Sequence, residues 1–257
     1  MRVRITVVAA GALALCLAAA GCGPDDGEGR GPGRKATASP TPAAGSADGP
    51  DAVDAGTPVP TTAGSGRTLT EAQLAGVVLR TGEVKGYEIA PLEGTDERGT
   101  EESEDEACRP IIAIVNGSPE PTPAATVFRT AMDTTEEGQD DQTVVTEILT
   151  SHPKGGAEEL LRAVRDAVRA CADGFRTTSD DGPSTYTEVK ALPAAKAGQE
   201  SFAYQVTGSL EGTEVPLVFH LVRKGSTVVT FYAANFLTAR APEVPAALVT
   251  AQAAKLP

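Results

Sequence analysis

Tryptophan is absent from the 257 residues, aromatics make up only 4 %, and histidine occurs twice. Basic residues are also scarce: 22 Lys and Arg stand against 35 Asp and Glu, a formal net charge of −13. Phosphate neutralisation needs clustered Lys and Arg, so general nucleic-acid binding is excluded as a function class. There is one long apolar run, at the N-terminus, which excludes a polytopic helical membrane protein. No Gly-x-Ser-x-Gly elbow, zinc-type Cys/His spacing or calcium-loop spacing occurs. The sequence thus names no catalytic residue, no metal ligand and no cofactor.

What is present starts with an address. Arg2 and Arg4 precede an apolar stretch over residues 5–17, followed by Ala18-Ala19-Ala20-Gly21 and then Cys22. A basic start, an apolar core too short to span a bilayer and a small-residue cleavage zone predict a secretory signal peptide over residues 1–21. Ala18-x-Ala20 fits an ordinary cleavage site, which would leave a secreted chain. Ala19-Ala20-Gly21-Cys22 instead resembles the lipobox of bacterial lipoproteins. That resemblance implies a diacylglyceryl group on the Cys22 thiol and attachment to the extracytoplasmic face of the membrane.

The cysteine count favours the lipidated reading. Of Cys16, Cys22, Cys108 and Cys171, the first leaves with the signal peptide. Three then remain in an oxidising compartment. Lipid on Cys22 leaves Cys108 and Cys171 as one disulfide, which closes a 63-residue separation; two free buried thiols are the alternative.

Residues 23–66 hold ten Gly and seven Pro among many Ala, Thr and Ser, with Val53 and Val59 the only sizeable apolar side chains. This stretch cannot bury enough apolar surface to offset its chain entropy, so residues 22–66 are expected to form a disordered tether. Removing Arg2 and Arg4 makes the remaining chain still more acidic. A domain of that charge stands away from anionic lipid and depends on its anchor.

Residues 67–257 carry the remaining apolar content and are expected to form one α+β domain, an antiparallel sheet with packed helices. Thr70 caps a predicted helix over residues 71–80, and another helix is expected near residues 108–115. Leu160, Leu161, Val164, Val168 and Cys171 recur at helical spacing over residues 156–173, and Gly174 is placed to stop that helix. Strands are predicted over residues 124–132, 143–150, 186–192 and 202–207. Residues 215–223 and 227–235 form a hairpin around Lys224-Gly225-Ser226. Both faces of 215–223 are apolar, which predicts a central strand covered on both sides. A final helix is expected to start near Pro242.

The stretch Leu192-Pro193-Ala194-Ala195-Lys196-Ala197-Gly198-Gln199-Glu200-Ser201, leading into Phe202-Ala203-Tyr204, is similar to extracellular sensor-type domains of actinobacterial lipoproteins. The same class forms the outer domain of mycobacterial Ser/Thr receptor kinases, and a related PsbP-like shape occurs in some lipoproteins. The resemblance implies a sensing or ligand-binding role with no chemistry to carry across; a small hydrophobic ligand or an envelope protein is the expected partner of an anchored, non-enzymatic domain. An envelope hydrolase or transferase using carboxylates, and a structural protein contacting the wall, are the alternative functions.

The remaining candidate chemistry is sparse. His220, between Val218 and Val222, is expected to be a buried structural histidine, whereas His152 before Pro153 is expected in a solvated loop. Ser151-His152-Pro153-Lys154 matches the Ser-x-x-Lys nucleophile pattern without its companion motifs, and Pro153 interrupts the helical turn that chemistry needs. Residues 93–106 hold eight carboxylates against Arg98 alone, and Asp133, Glu136, Glu137, Asp140 and Asp141 form a second cluster. Such a run is expected to be a solvated, mobile loop, with a weak site for divalent cations or a basic partner as its functional alternatives.

Overall fold

In the computed structural model of this chain, residues 66–92, 98–210 and 212–257 are described. The predicted signal peptide, Cys22 and the linker up to residue 65 lie outside the described residues. So do residues 93–97 of the acidic run.

The described residues build a nine-stranded, fully antiparallel sheet with helices on both faces, in the strand order β1-β3-β4-β9-β8-β7-β6-β5-β2. The strands are β1 (Tyr87–Pro91), β2 (Glu102–Ser103), β3 (Ala125–Asp133), β4 (Val144–Ser151), β5 (Phe175–Thr178), β6 (Ser184–Leu192), β7 (Glu200–Leu210), β8 (Thr213–Lys224) and β9 (Thr227–Ala234). The helices are α1 (Glu71–Val77), α2 (Arg109–Val115), α3 (Glu136–Asp141), α4 (Gly156–Ala170) and α5 (Ala246–Lys255). Strands β5 to β9 form a meander that closes by pairing β9 with β4. The link from β4 to β5 passes four strands, and α4 covers that crossing by packing on β6, β7 and β8.

The alternation along each strand sorts the core into two. Leu217, Phe219 and Leu221 of β8 point to the α2/α4 side, with Ile111, Leu160, Leu161 and Val164. Val222 of β8 points to the other side, with Leu74 of α1 and Leu248 and Val249 of α5. This is the doubly covered central strand that its two apolar faces predict. With no Trp to fill the α4 side, aromatic rings stack across the strands there. Tyr204, Phe219 and Tyr232 lie in register, with centroid separations of 5.0 and 5.1 Å.

Tertiary contacts set two helix ends differently from the sequence expectation. Helix α1 stops at Val77, not at residue 80. Gln252 of α5 accepts from the Leu79 N–H at 2.8 Å and donates to the Val77 carbonyl at 2.9 Å, supplying partners the next helical turn would have provided. Helix α5 starts at Ala246, beyond Pro245, because each residue before a proline is pushed out of the helical region and Pro242 and Pro245 both impose this.

The chain enters the domain at the β8–β9 turn. Gly66 packs on Gly225, which holds φ +60°, so close that a Cβ on Gly66 would lie 2.4 Å from the Ser226 nitrogen. Gly66 therefore belongs to the folded part and not to the linker. Ser226 Oγ donates to the Arg67 carbonyl (2.8 Å), Thr68 Oγ1 to the His152 carbonyl (3.0 Å), and the Leu69 N–H to Ser151 Oγ (2.7 Å).

Candidate functional site

At the other end of β9, roughly 25 Å from the entry point at about 3.3 Å per residue, the sheet opens into a cleft of about 710 Å³. Ala131 and Val145, opposed across β3 and β4, lie on its wall. Asp133, Glu137, Asp140, Asp141 and Glu243 surround it, and Arg240 is the one Lys or Arg in its lining. Four of the five residues in the second acidic cluster read from the sequence thus line one cavity.

Local hydrogen bonds hold this rim. Asp133 Oδ1 accepts from the N–H (2.9 Å) and the hydroxyl (2.7 Å) of Thr135, and Thr135 caps α3 by accepting from the Gly138 N–H at 3.1 Å. Tyr87 faces Asp133 across the β1–β3 pairing, and burial, aided by that carboxylate, raises its phenol above the usual range.

Asn235, only 1 % exposed, organises the other wall. Its amide donates to the Asp141 carbonyl (2.6 Å) and lies 3.4 Å from Thr143 Oγ1. Its side-chain oxygen accepts from the N–H groups of Leu237 (3.1 Å) and Thr238 (2.9 Å). This Asx turn leaves Phe236 56 % and Leu237 72 % exposed at its tip.

A second cleft, of about 880 Å³, lies between residues 99–106 and α2, with Glu101, Glu104, Arg109 and Glu120 on its walls. Here the expectation of a solvated mobile loop fails over the described part of the run. Residues 102–103 pair with β5, and Asp105 caps a short 3-10 turn. Glu101 accepts from the hydroxyls of Tyr186 (2.7 Å), Thr177 (3.0 Å) and Ser184 (3.4 Å). Hydroxyls on the buried Tyr186 and Thr177 and the half-buried Ser184 that need an acceptor turn this acid into a structural group. Burial, with Glu101 alongside, raises the Tyr186 phenol. Among the described residues, no group of three or more His, Cys, Asp or Glu side chains could hold a metal ion.

The other sequence candidates do not converge on either cleft. Cys108 and Cys171 are bonded, with Cα atoms 6.0 Å apart, and both are buried between α2 and α4. His220 is buried on β8, with Nε2 2.8 Å from Ser201 Oγ, and burial lowers its pKa. His152 corrects the expectation of a solvated loop. It is fully buried, with Nε2 2.9 Å from Thr150 Oγ1, and burial lowers its pKa as well. Residues 66–69, over eighty positions away, fold across it. Ser151 lies on a strand with its hydroxyl on the Leu69 N–H, and Lys154 sits in the following turn, so the Ser-x-x-Lys match has no helical geometry.

One carboxylate escaped the sequence reading. Glu147 sits between Val145 and Leu149 on the α5 side of the sheet, is 0 % exposed, and neither of its oxygens has a hydrogen-bond partner. Burial pushes its pKa up to about 8, against the opposing pull of Arg129 and Lys255. The signal was available: a Glu in phase with the buried residues of β4. It lines neither the distal cleft nor the cleft beside α2.

Neither a family model nor a curated protein matches this sequence. Among solved structures, the extracellular domain of PknH from Mycobacterium tuberculosis aligns with a TM-score of 0.47 and 13 % identity, covering 74 % of this chain and 95 % of that chain. At that level the likeness carries neither fold nor function across.

Proposed function

We propose that this chain is a lipid-anchored cell-envelope protein whose α+β domain serves as a non-enzymatic binding or sensing module outside the membrane. The observation that carries the reading is the Cys108–Cys171 disulfide. A buried disulfide belongs to an oxidising compartment, consistent with the predicted signal peptide. It also consumes both cysteines of the domain, leaving Cys22 as the single thiol after signal cleavage, which supports its reading as the acceptor for lipid. Two or more acyl chains at that residue hold a protein stably on a membrane. The distal cleft is the binding end, because the chain enters the domain at the opposite end of β9.

A hydrolase is the competing reading, and Glu147 is the group that favours it: a carboxyl held protonated near neutral pH. Its complete burial opposes any role on substrate. Native mass spectrometry of the protein purified from its host membrane tests the proposal. The expected result is an N-terminal diacylated Cys22 and an intact disulfide. An unmodified chain beginning at Gly21 would contradict it.

A further inference from the structure

Among the described residues, the large apolar side chains that stand exposed are Met132, Val144, Phe236 and Leu237. Single exposed apolar residues scattered over a surface need no explanation. All four lie at the cleft end of the sheet, but Met132 and Val144 alternate to the face opposite Ala131 and Val145, which line the cleft, so the apolar pair beside the cleft is Phe236 and Leu237. The Phe236–Leu237 tip is not a frayed loop, since buried Asn235 holds it from both its amide and its carbonyl oxygen. A fixed turn presenting two apolar side chains marks an interaction surface.

The surroundings select the occupant. Asn235 and Thr238, on either side of the tip, both line the cleft with its five carboxylates and one arginine. A second copy of this surface would set like charges against each other. An anionic lipid surface would be repelled for the same reason. A cationic segment carrying apolar side chains satisfies both features.

We infer that the distal end docks a basic, amphipathic segment of another envelope protein. Its apolar side chains rest on Phe236 and Leu237, and its Lys or Arg side chains enter the cleft against Glu137, Asp140 and Glu243. This deepens the anchored-binding reading by naming the class of partner. The docking itself is read in solution and does not depend on the lipid.

The test uses the full-length chain in detergent micelles. The probe is a fluorescent 18-residue helical peptide with Leu at helical spacing and Lys elsewhere; a control replaces every Lys with Glu. Fluorescence anisotropy at low and high salt is expected to show the Lys peptide binding at least tenfold tighter than the Glu peptide, weakening as salt rises. Phe236→Ser with Leu237→Ser is expected to weaken binding at least tenfold, and Asp140→Lys with Glu243→Lys to abolish it. Glu102→Lys with Glu104→Lys, at the other cleft, should change it less than twofold. Thermal melts of each variant confirm that the fold is retained. Equal binding by all variants would overturn the inference. So would co-sedimentation with phosphatidylglycerol vesicles lost in Phe236→Ser, or a Phe236-dependent dimer in sedimentation. An unlipidated Cys22 with unchanged peptide binding would instead overturn the anchoring and leave the docking intact.

Discussion

Glu147 stands directly across the β3–β4 pairing from Arg129, yet neither of its carboxyl oxygens is hydrogen-bonded. The Arg129 guanidinium donates to the Phe128 carbonyl at 2.7 Å. Arg129, Lys255 and Glu83 are the charged groups that act on this carboxyl: the two cations pull against its burial without overcoming it, and Glu83 acts in the same direction as burial. The folded state therefore keeps its proton to about pH 8, while an unfolded chain releases it near the ordinary carboxylate value. Stability from this group is complete below that ordinary value and is lost as pH rises through 8, at about 1.4 kcal/mol per pH unit between the two. Urea unfolding of wild type and Glu147→Gln at several pH values is expected to show this slope in their difference. Parallel curves from pH 5 to 8 would contradict it.

Glu147→Leu removes a buried group that has no partner. It is expected to stabilise the domain by about 1–3 kcal/mol at pH 8. A fall in melting temperature would mean that the carboxyl has a partner after all.

Cys108 begins the turn into α2, and Cys171 caps the end of α4. With a sequence separation of 63, the chain-entropy account assigns the bond about 4 kcal/mol. The double variant Cys108→Ser with Cys171→Ser is expected to lower the urea midpoint correspondingly and to abolish its dependence on reductant.

Gln252 is buried and serves two backbone groups at the end of α1. Gln252→Ala leaves the Leu79 N–H and the Val77 carbonyl without those partners, at a cost of about 1–3 kcal/mol each at most. Hydrogen exchange at Leu79 is expected to accelerate in this variant. Unchanged protection would show that another group closes the helix.

Asn235→Ala removes the acceptor for Leu237 and Thr238 and the donor to Asp141. Exchange at Leu237 and Thr238 is expected to rise, with strands β8 and β9 keeping their protection. Simultaneous loss across β9 would mean that Asn235 supports the sheet and not merely the turn.

Much of the frame was legible locally. Helix α4 announced itself through Leu160, Leu161, Val164 and Val168, and the β8–β9 hairpin through alternation around Lys224-Gly225-Ser226. The unforeseen parts depend on distant contacts. His152 is buried because Thr68 and Leu69 fold over the end of β4. Strand β2 has two residues, too short to carry a pattern, and exists through pairing with Thr177 and Thr178. Glu101 reads as one more acid in a run until Tyr186, 85 positions later, is brought to it. The distal cleft needed β1, β3, β4 and the end of β9 side by side; its acidic cluster was visible, but Asn235 read as the last residue of the strand over 227–235, and its role in the turn depends on contacts with Asp141, Leu237 and Thr238.

The anchoring claim is tested most directly by fractionating host cells that express wild type or Cys22→Ser. Wild type is expected to sediment with membranes and be released by detergent, whereas Cys22→Ser is expected in the soluble extracytoplasmic fraction with its Cys108–Cys171 disulfide formed. A Cys22→Ser protein that still sediments with membranes and needs detergent for release would contradict the account.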